Sequence, residues 1–224
     1  MKPNRVFHPL ISSSGQVRLE KSQIMEAVRM IEQQTLSLDE VQAEETYVDC
    51  HFSYSSEVLR FDGVTFKNCQ FEQSDFSHSE WTDCRFINCQ FLNNDFSDSF
   101  FFRTEFEKCQ LMGTNFADNS WKKVKIIDSK ADYFNVSGSK LADCRLVAVG
   151  LHEAYFQEVK ITGGLVFERC DLSGSDFLQT RLKNVDFSSS YFETLLLSVD
   201  KLKGCIISPM QAQILVGILG VKVK

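Results

Sequence analysis

Large apolar residues recur at every fifth position through most of the chain. The series starts at Phe61, runs unbroken to Ile161 through the smaller residues Ala131 and Val136, and resumes after one extra residue at Phe167 to end at Leu202. Every position in it is apolar, whereas only 43% of the whole chain is hydrophobic. A period of five fits neither an α-helix nor a strand. The pattern therefore predicts a repeat architecture in which short units stack on one another.

The five-residue spacing is interrupted at two places, near the start of the repeat and before Phe167. Tyr47 and Phe52 precede the series, and the nine-residue step from Phe52 to Phe61 predicts a bulge or small loop over residues 53–60. The extra residue before Phe167 falls at Thr162, Gly163 and Gly164, where glycine suits a local kink. The sequence thus divides into a non-repeat segment, 1–46, a repeat region, 47–206, and a C-terminal segment, 207–224.

Both flanking segments carry helix signals. In the first, Ser22 is a candidate N-cap, and an apolar stripe predicts a helix to about Gln34, formed by Ile24, Met25, Val28 and Ile31. We expect this segment to cap the open end of the stack, with a mobile arm that contacts a partner as the alternative.

In the C-terminal segment, Ser208 and Pro209 predict the start of a short helix, and Gly220 predicts its end. Residues 221–224 alternate like an edge strand. One side of the helix is apolar and too large for a short helix to cover alone.

Composition and charge exclude several classes of function. The chain has 224 residues and a formal net charge of −6, which argues against direct binding of nucleic acid. No apolar run is long enough for a signal-peptide core or a membrane span, so we expect a cytoplasmic protein. No nucleophile stands beside a base and no glycine loop could hold a phosphate, so an enzyme is not expected.

The eight cysteines share one position in the repeat. Each precedes an apolar position of the series by two residues, in a slot otherwise filled mostly by small side chains: Cys50, Cys69, Cys84, Cys89, Cys109, Cys144, Cys170 and Cys205. Paired CxxC or His spacing is absent, and the four histidines form no cluster. The cysteines are interpreted as core residues, and neither a metal site nor a cofactor is predicted.

A small residue, a polar residue, a central Phe or Leu and two mostly polar residues make up each unit, as in Cys69–Gln73 and Ser74–His78. This pattern resembles the pentapeptide-repeat proteins. The resemblance implies an all-β fold, a right-handed quadrilateral β-helix with four units per coil, whose central residue and the residue two before it point inward.

Within that family the chain resembles the Qnr-type quinolone-resistance proteins, DNA mimics that bind DNA gyrase and topoisomerase IV. The resemblance rests on Cys109–Phe134, where Ala131 replaces a bulky centre, and on the tail Met210–Val221, similar to a C-terminal dimerisation helix and strand. Gram-negative members carry two projecting loops. The unbroken run from Phe61 to Ile161 leaves no room for the second, which is more similar to the loop-poor Gram-positive members.

Four units per coil place residues 20 apart on one face, about 4.8 Å from each other. The face centred on Phe76, Phe96 and Phe116 (face 4) and the preceding face, centred on Phe71 and Phe91 (face 3), are rich in carboxylates. The other two faces, centred on Trp81 and Phe101 (face 1) and on Phe86 and Phe106 (face 2), hold most of the positive charge. The predicted acidic surface, which could mimic DNA, comprises Glu72, Asp75, Asp95, Asp98, Asp118, Asp132, Glu153, Glu158, Asp171 and Asp176.

Two interpretations of these acids stay open. Asp75, Asp95, Asp171 and Asp176 occupy the slot before the centre, where Asp or Asn also serves turn formation. The outward residues Phe100 and Phe102 could equally be a contact site or ordinary surface.

The expected function is that of a homodimeric DNA mimic that binds a type II topoisomerase and protects it from quinolone-type inhibitors or gyrase poisons. The alternative is a pentapeptide-repeat scaffold with an unrelated protein partner. The expected dimer interface comprises Met210, Ile214, Leu215, Ile218 and Leu219.

Overall fold

A computed structural model describes residues 29–218 and 220–222 as a right-handed β-solenoid of short parallel strands. Within these residues one α-helix, α1 (Pro209–Ile218), follows the strands, and short 3₁₀ turns lie at Leu38–Glu40 and Val199–Lys201. The strands are β1 (Met30–Glu32), β2 (Thr35–Ser37), β3 (Thr46–Val48), β4 (His51–Ser53), β5 (Arg60–Asp62), β6 (Thr65–Lys67), β7 (Gln70–Phe71), β8 (Glu80–Thr82), β9 (Arg85–Ile87), β10 (Phe100–Phe102), β11 (Glu105–Glu107), β12 (Ser120–Lys122), β13 (Lys125–Ile127), β14 (Lys140–Val147), β15 (Lys160–Asp171), β16 (Ser175–Phe177), β17 (Val185–Tyr191) and β18 (Leu195–Leu197).

Strand pairing confirms the four-faced coil. On face 1, Trp81 pairs with Phe61 and Phe101, and on face 2, Phe86 pairs with Phe66, always in parallel register. Face 3 contains the stack β2–β4–β7 and continues through single bridges such as Gln90 to Gln110. Face 4 is held by bridges such as Asp75 to Asp95, and β16 pairs with β18 at its end. A regular coil therefore takes 20 residues, as the sequence predicts.

The core is a set of stacked aromatic columns. On face 4, the rings of Phe76, Phe96 and Phe116 lie nearly parallel, with centroids 4.7 and 4.9 Å apart. Neighbouring columns meet edge to face, as Phe91 and Phe96 do at 5.3 Å. The arrangement follows from the coil spacing, because paired strands bring equivalent rings to stacking distance.

Phe134 compensates for the small centres at Ala131 and Val136. It occupies the inward slot that elsewhere holds a small residue, and it is completely buried. Its ring lies 5.2 Å from that of Phe116 and 6.0 Å from that of Trp121. The core thus stays filled where the five-residue series weakens.

The coil turns at residues two positions after each centre, which adopt the left-handed conformation. Asp98, with φ 53°, is one example, and its N–H donates to the carbonyl of Ala117 at 3.0 Å in the next coil. Asp and Asn tolerate this conformation better than other side chains do. The side chain at such a corner points to the outside of the rod.

At the N-terminal side, the described residues join the solenoid earlier than the sequence suggests. Strand β1 pairs with β3, Ile31 opposite Tyr47, and β2 pairs with β4. The predicted helix is therefore wrong from Met30 to Gln34, because the apolar residues there complete a β coil. Its first part, from Ser22, lies outside the described residues.

Residues 54–59 connect β4 and β5 and lie outside any strand. Thr46 pairs with Thr65 and His51 with Gln70, so this coil is one residue shorter than the regular 20. The segment replaces the fourth face of its coil and buries Leu59 in the core. A small loop is therefore present as predicted, but it adds no residues to the coil, because the nine-residue step spans two faces.

The second irregularity is confirmed. The register between β14 and β15 shifts after Ala142, and Cys144 pairs with Leu165. Gly163, with φ 76°, lies in the region that favours glycine. The strands beyond it continue the stack with one residue of offset.

Helix α1 closes the C-terminal end of the solenoid. The Ser208 Oγ accepts a bond from the Gln211 N–H at 3.3 Å, and the Gln211 side chain accepts one from the Ser208 N–H at 2.8 Å, which is a capping box. The buried Gln211 amide also donates to the carbonyls of Phe187 and Ser190, both at 2.7 Å. The helix therefore satisfies carbonyls of the last coil that would otherwise lack donors.

The glycine cap that the sequence predicts is present at the end of α1. Gly220, with φ 75°, donates to the Gly217 carbonyl at 2.9 Å, and Val221 donates to the Val216 carbonyl at 3.3 Å. This pair of bonds is a Schellman motif. Val221 and Lys222 are not in a strand, so the predicted edge strand is wrong there, and its last two residues lie outside the described part of the chain.

Candidate interaction surface

The structure distributes the predicted acidic residues over faces 3 and 4 and the corners beside them. Asp75 and Asp95 pair directly across neighbouring coils of face 4. Asp98, Asp118 and Glu158 stand exposed at the corner that follows face 4. On the face 3 side lie Glu72, Asp132, Glu153 and Asp171.

These carboxylates differ from those on faces 1 and 2 in their partners. On face 2, Arg85 and Lys125 both pair with Glu105, at 3.2 and 3.7 Å. On face 1, Arg103 pairs with Asp83. Among residues 29–218 and 220–222, no residue of the acidic surface pairs with a Lys or Arg. Carboxylates on faces 1 and 2 thus have Arg or Lys partners at several positions, whereas those of the acidic surface keep their negative charge without such partners in the described part of the chain.

Asp75, Asp95 and Asp171 also shape the backbone. Each accepts a bond from the N–H two residues later, as Asp95 does from Ser97 at 2.9 Å. Asn115 and Asn135 make the same bond on the same face. The turn-forming interpretation of this slot is therefore correct for its geometry. Turn formation does not account for the negative charge of these aspartates, because Asn supplies the same bond without a charge.

Asp176 does not contribute to the surface. Only 6% of it is exposed, and its carboxylate accepts bonds from the Leu178 N–H and the Gln157 side chain. Its assignment to the exposed acidic surface is wrong. The residues stacked before and after it, Tyr155 and Leu196, are large and cover it. Nine carboxylates of the predicted set remain exposed or partly exposed.

Two histidines lie within this surface, which the sequence analysis missed. The His152 ring contacts Asp132 through Nδ1 and Asp171 through Nε2, both at 3.0 Å. The hydrogen bond with Asp132 raises the pKa of His152 above its ordinary value, and the charge of Asp171 adds to this effect. His51 contacts Glu72 at 2.8 Å. The coil period of 20 could have indicated the first contact, because residues 132 and 152 are one coil apart.

The two outward aromatic residues, Phe100 and Phe102, differ in their contacts with the rest of the rod. The guanidinium of Arg103 lies 4.1 Å from the Phe102 ring centroid, and the Lys122 ammonium lies 5.8 Å from it. Phe102 is therefore partly covered by cation–π contacts. Phe100 is 40% exposed.

The end of face 4 nearest α1 is apolar. Four side chains there are substantially exposed, although most of this face is polar: Tyr155, Leu178, Leu196 and Val199. Leu196 occupies the slot that Asp or Asn fills in earlier coils, and it pairs with Asp176. The carboxylate-rich surface thus borders an apolar patch.

The apolar residues of α1 divide between two directions. Ile214 and Leu215 pack against the core of the solenoid, whereas Met210 and Ile218 are exposed. Leu219 lies outside the described residues. Of the predicted interface, Met210 and Ile218 are therefore the described side chains that project from the rod.

The cysteines form part of the core as predicted. All eight are free, seven are buried and Cys205 is partly buried. Burial raises the pKa of the Cys84 thiol to about 12, so it stays protonated at neutral pH. Within the described residues no group of three or more His, Cys, Asp or Glu is arranged to hold a metal ion, and no helix is long and apolar enough to cross a membrane.

Comparison with known proteins finds matches among families and structures. A family model described as "Pentapeptide repeat region" matches residues 59–136, and one described as "Pentapeptide repeats (8 copies)" matches residues 151–188. Together they span more than half of the chain. No curated protein sequence matches it.

Three of the similar solved structures illustrate the range. A trypsin-treated variant of QnrB1, a plasmid-mediated fluoroquinolone resistance protein, is 22% identical with a TM-score of 0.49, over 88% of this chain and 100% of that one. Full-length QnrB1 is 18% identical with a TM-score of 0.42, over 86% and 100%. HetL, a pentapeptide repeat protein involved in heterocyst differentiation regulation from the cyanobacterium Nostoc, is 14% identical with a TM-score of 0.34, over 80% and 85%.

Proposed function

The chain belongs to the pentapeptide-repeat family, and we propose that it acts as a DNA mimic. In this proposal it binds DNA gyrase or topoisomerase IV through its acidic surface and protects the enzyme from quinolone-type inhibitors or other gyrase poisons. It acts by binding and not by catalysis, in the cytoplasm where these enzymes work.

The observation that carries the proposal is that the carboxylates of the acidic surface have no Lys or Arg partner among the described residues, although three of them contact histidines. Nine carboxylates follow two adjacent faces of a narrow rod without a Lys or Arg partner in the part of the chain described, while several carboxylates on the other faces, among them Asp83 and Glu105, pair with Arg or Lys. A row of negative charges at regular spacing can occupy a basic groove that normally holds DNA. Because each contact releases counterions, affinity should fall steeply as salt concentration rises.

We also propose that two copies join through the exposed side of α1. Met210 is 83% exposed and Ile218 is 39% exposed at the end of the rod. A two-fold axis there would pair the same patch on both copies and double the length of the acidic surface.

The test combines a gyrase supercoiling assay, a fluoroquinolone and the full-length protein. The variant Asp95→Asn/Asp98→Asn/Asp118→Asn removes three charges, and Asn at position 95 can keep the turn bond, as Asn115 does. We expect the parent protein to restore supercoiling and this variant to lose that effect.

A matched variant controls for net charge. Asp62→Asn/Asp128→Asn/Asp143→Asn removes three exposed carboxylates from faces 1 and 2 and should protect like the parent. No rescue and no inhibition by the parent at micromolar concentrations would contradict the proposal, and so would equal loss in both variants.

A second candidate is a scaffold whose partner is an unrelated protein. It is favoured by the apolar patch of Tyr155, Leu178, Leu196 and Val199, which an acidic DNA mimic does not require. Binding that depends on Leu178 and Leu196, and not on Asp95, Asp98 and Asp118, would support this candidate instead.

A further inference from the structure

Face 1 carries a second charged feature, of opposite sign, on its C-terminal half. Lys140 and Lys160 are direct partners in the strand pairing, and the Leu182 N–H bond to the Lys201 carbonyl places Arg181 beside Lys201. Lys160, Arg181 and Lys201 line one surface groove together with Glu158 and Gln179. We call Lys140, Lys160, Arg181 and Lys201 the basic ladder.

The basic ladder differs in its ion pairing from other charged residues on face 1. Arg60 pairs with Glu80 at 3.2 Å and Arg103 pairs with Asp83, each across one coil. In the ladder, only Lys201 has a carboxylate partner among the described residues, Asp200 at 3.1 Å. Like charges directly opposite each other in paired strands destabilise a sheet. Stability of the fold therefore does not account for this arrangement.

Further cations surround the ladder. Lys122, Lys123, Lys183 and Lys203 are exposed on the same half of face 1, and none makes an ion pair within the described part of the chain. The opposing charges close by are Asp143, Asp200 and Glu158. A chain with a net charge of −6 thus concentrates cations on one side of one half of the rod.

We propose that this half of face 1 binds the phosphate backbone of nucleic acid. The four rungs, about 4.8 Å apart, span about 14 Å, which corresponds to the rise of about four base pairs of a duplex. Lysine, which forms three of the four rungs, interacts with phosphate as a flexible point charge. The contact would be independent of sequence, because no side chain of the ladder is held to read base edges.

This site differs from the acidic surface in place and in partner. The net charge argues against nucleic-acid binding only as long as charge is spread evenly over the rod. The four faces separate the charges, so one face can bind phosphates while another repels them. The inference does not rest on the proposed topoisomerase binding and concerns DNA alone.

The test is fluorescence anisotropy of a labelled 20-base-pair duplex titrated with the full-length protein, without topoisomerase. At about 50 mM salt we expect a Kd on the order of 10 µM. With about four phosphate contacts, raising the salt to about 200 mM should weaken binding on the order of 100-fold. The variant Lys140→Glu/Lys160→Glu/Arg181→Glu should bind at least about 10-fold more weakly and show a shallower salt dependence.

A matched variant tests whether DNA binding depends on the cations of face 1 or only on the net charge of the protein. Lys67→Glu/Lys108→Glu/Lys130→Glu reverses three exposed cations on faces 2 and 3 and should bind DNA nearly as the parent does. Circular dichroism checks that both variants are folded, and Lys140→Gln/Lys160→Gln replaces the first variant if it is not.

Four outcomes would overturn the inference. They are no binding up to about 100 µM protein at low salt, equal weakening in both triple variants, tighter binding of poly-glutamate than of the duplex at equal charge, and self-association that the ladder variant abolishes in place of DNA binding. The third outcome would identify an acidic protein segment as the partner, and the fourth a second copy of the chain.

Discussion

His152 links two carboxylates from different coils, so its protonation sets part of the charge on face 3. Its pKa in the folded chain is raised, chiefly by the hydrogen bond with Asp132. A group with a raised folded pKa contributes stability that is fully present below its unfolded pKa, about 6.5, and is lost as pH rises through the folded value. The same deprotonation leaves Asp132 and Asp171 uncompensated.

We predict that the imidazole of His152 titrates above its ordinary value and that Asp132→Asn lowers the midpoint. NMR titration of the histidine ring signals measures both values. Asp98→Asn, which removes the same charge from a different coil, should leave the midpoint nearly unchanged. A His152 midpoint that is the same in the parent and in Asp132→Asn would contradict the assignment.

Two equivalent tryptophans show how one inward residue changes the hydrogen bonding of the core. The Trp81 indole N–H donates to the Ser79 Oγ at 2.6 Å. At Trp121 the equivalent position is Asn119, whose Oδ1 accepts from the Ser99 N–H at 2.6 Å. The Asn119 Nδ2 and the Trp121 Nε1 are both buried without a partner in the part of the chain that the structure describes. Such groups cost stability.

We predict that Asn119→Ser stabilises the protein by about 1 kcal/mol. The serine hydroxyl would accept from both the Ser99 N–H and the Trp121 indole. The Ser99 hydroxyl accepts in the same way from the Ser79 N–H one coil earlier, and the Ser79 hydroxyl accepts from the Trp81 indole two coils earlier. Denaturant unfolding measures the change. Asn119→Ala, which supplies no acceptor, serves as the control and should not stabilise. A destabilised serine variant would show that the loss of side-chain volume outweighs the new bond.

At the scale of elements, α1 both caps the solenoid and presents an exposed apolar side. Gln211, Ile214 and Leu215 face the rod, and Met210 and Ile218 face away from it. A polar substitution therefore has different consequences on the two sides. On the inner side it disturbs the fold, and on the outer side it can act only on an interface.

We predict that Met210→Asp/Ile218→Asp converts the proposed dimer to monomers while the protein remains folded. Sedimentation velocity measures the mass, and circular dichroism measures the fold. Gln213→Asp, at an exposed polar position of the same helix, should leave the dimer intact. A dimer unaffected by the double substitution would place the interface elsewhere.

The sequence predicts elements well where a local rule applies. The five-residue period defines the coil, and Ser208, Pro209 and Gly220 define α1, because caps and turns depend on neighbours in the chain. It fails at Met30–Gln34, where an amphipathic stripe and a strand carry the same apolar residues and pairing with β3 decides between them. Burial of Asp176 likewise depends on Tyr155 and Leu196, residues one coil away.

At the scale of the whole molecule, the four faces separate the charges. The acidic surface lies on faces 3 and 4, paired ions lie mainly on faces 1 and 2, and the basic ladder occupies the C-terminal half of face 1. Composition alone gives only the sum, −6. The acidic surface could be located from the sequence once the coil length was known, whereas the pairing of each ion required side-chain positions.

The hydrogen bonds from Gln211 to Phe187 and Ser190 have a consequence for assembly. A chain that ends at Ile207 would leave the last coil as a free edge of parallel strands, with the Phe187 and Ser190 carbonyls without their donor and the core without Ile214 and Leu215. Such an edge accepts strands from another copy, and a head-to-tail contact does not close on itself. We predict that the truncated chain polymerises into fibres, seen by electron microscopy, and that the full-length chain does not. Ten helical residues would then be what gives this rod a finite length.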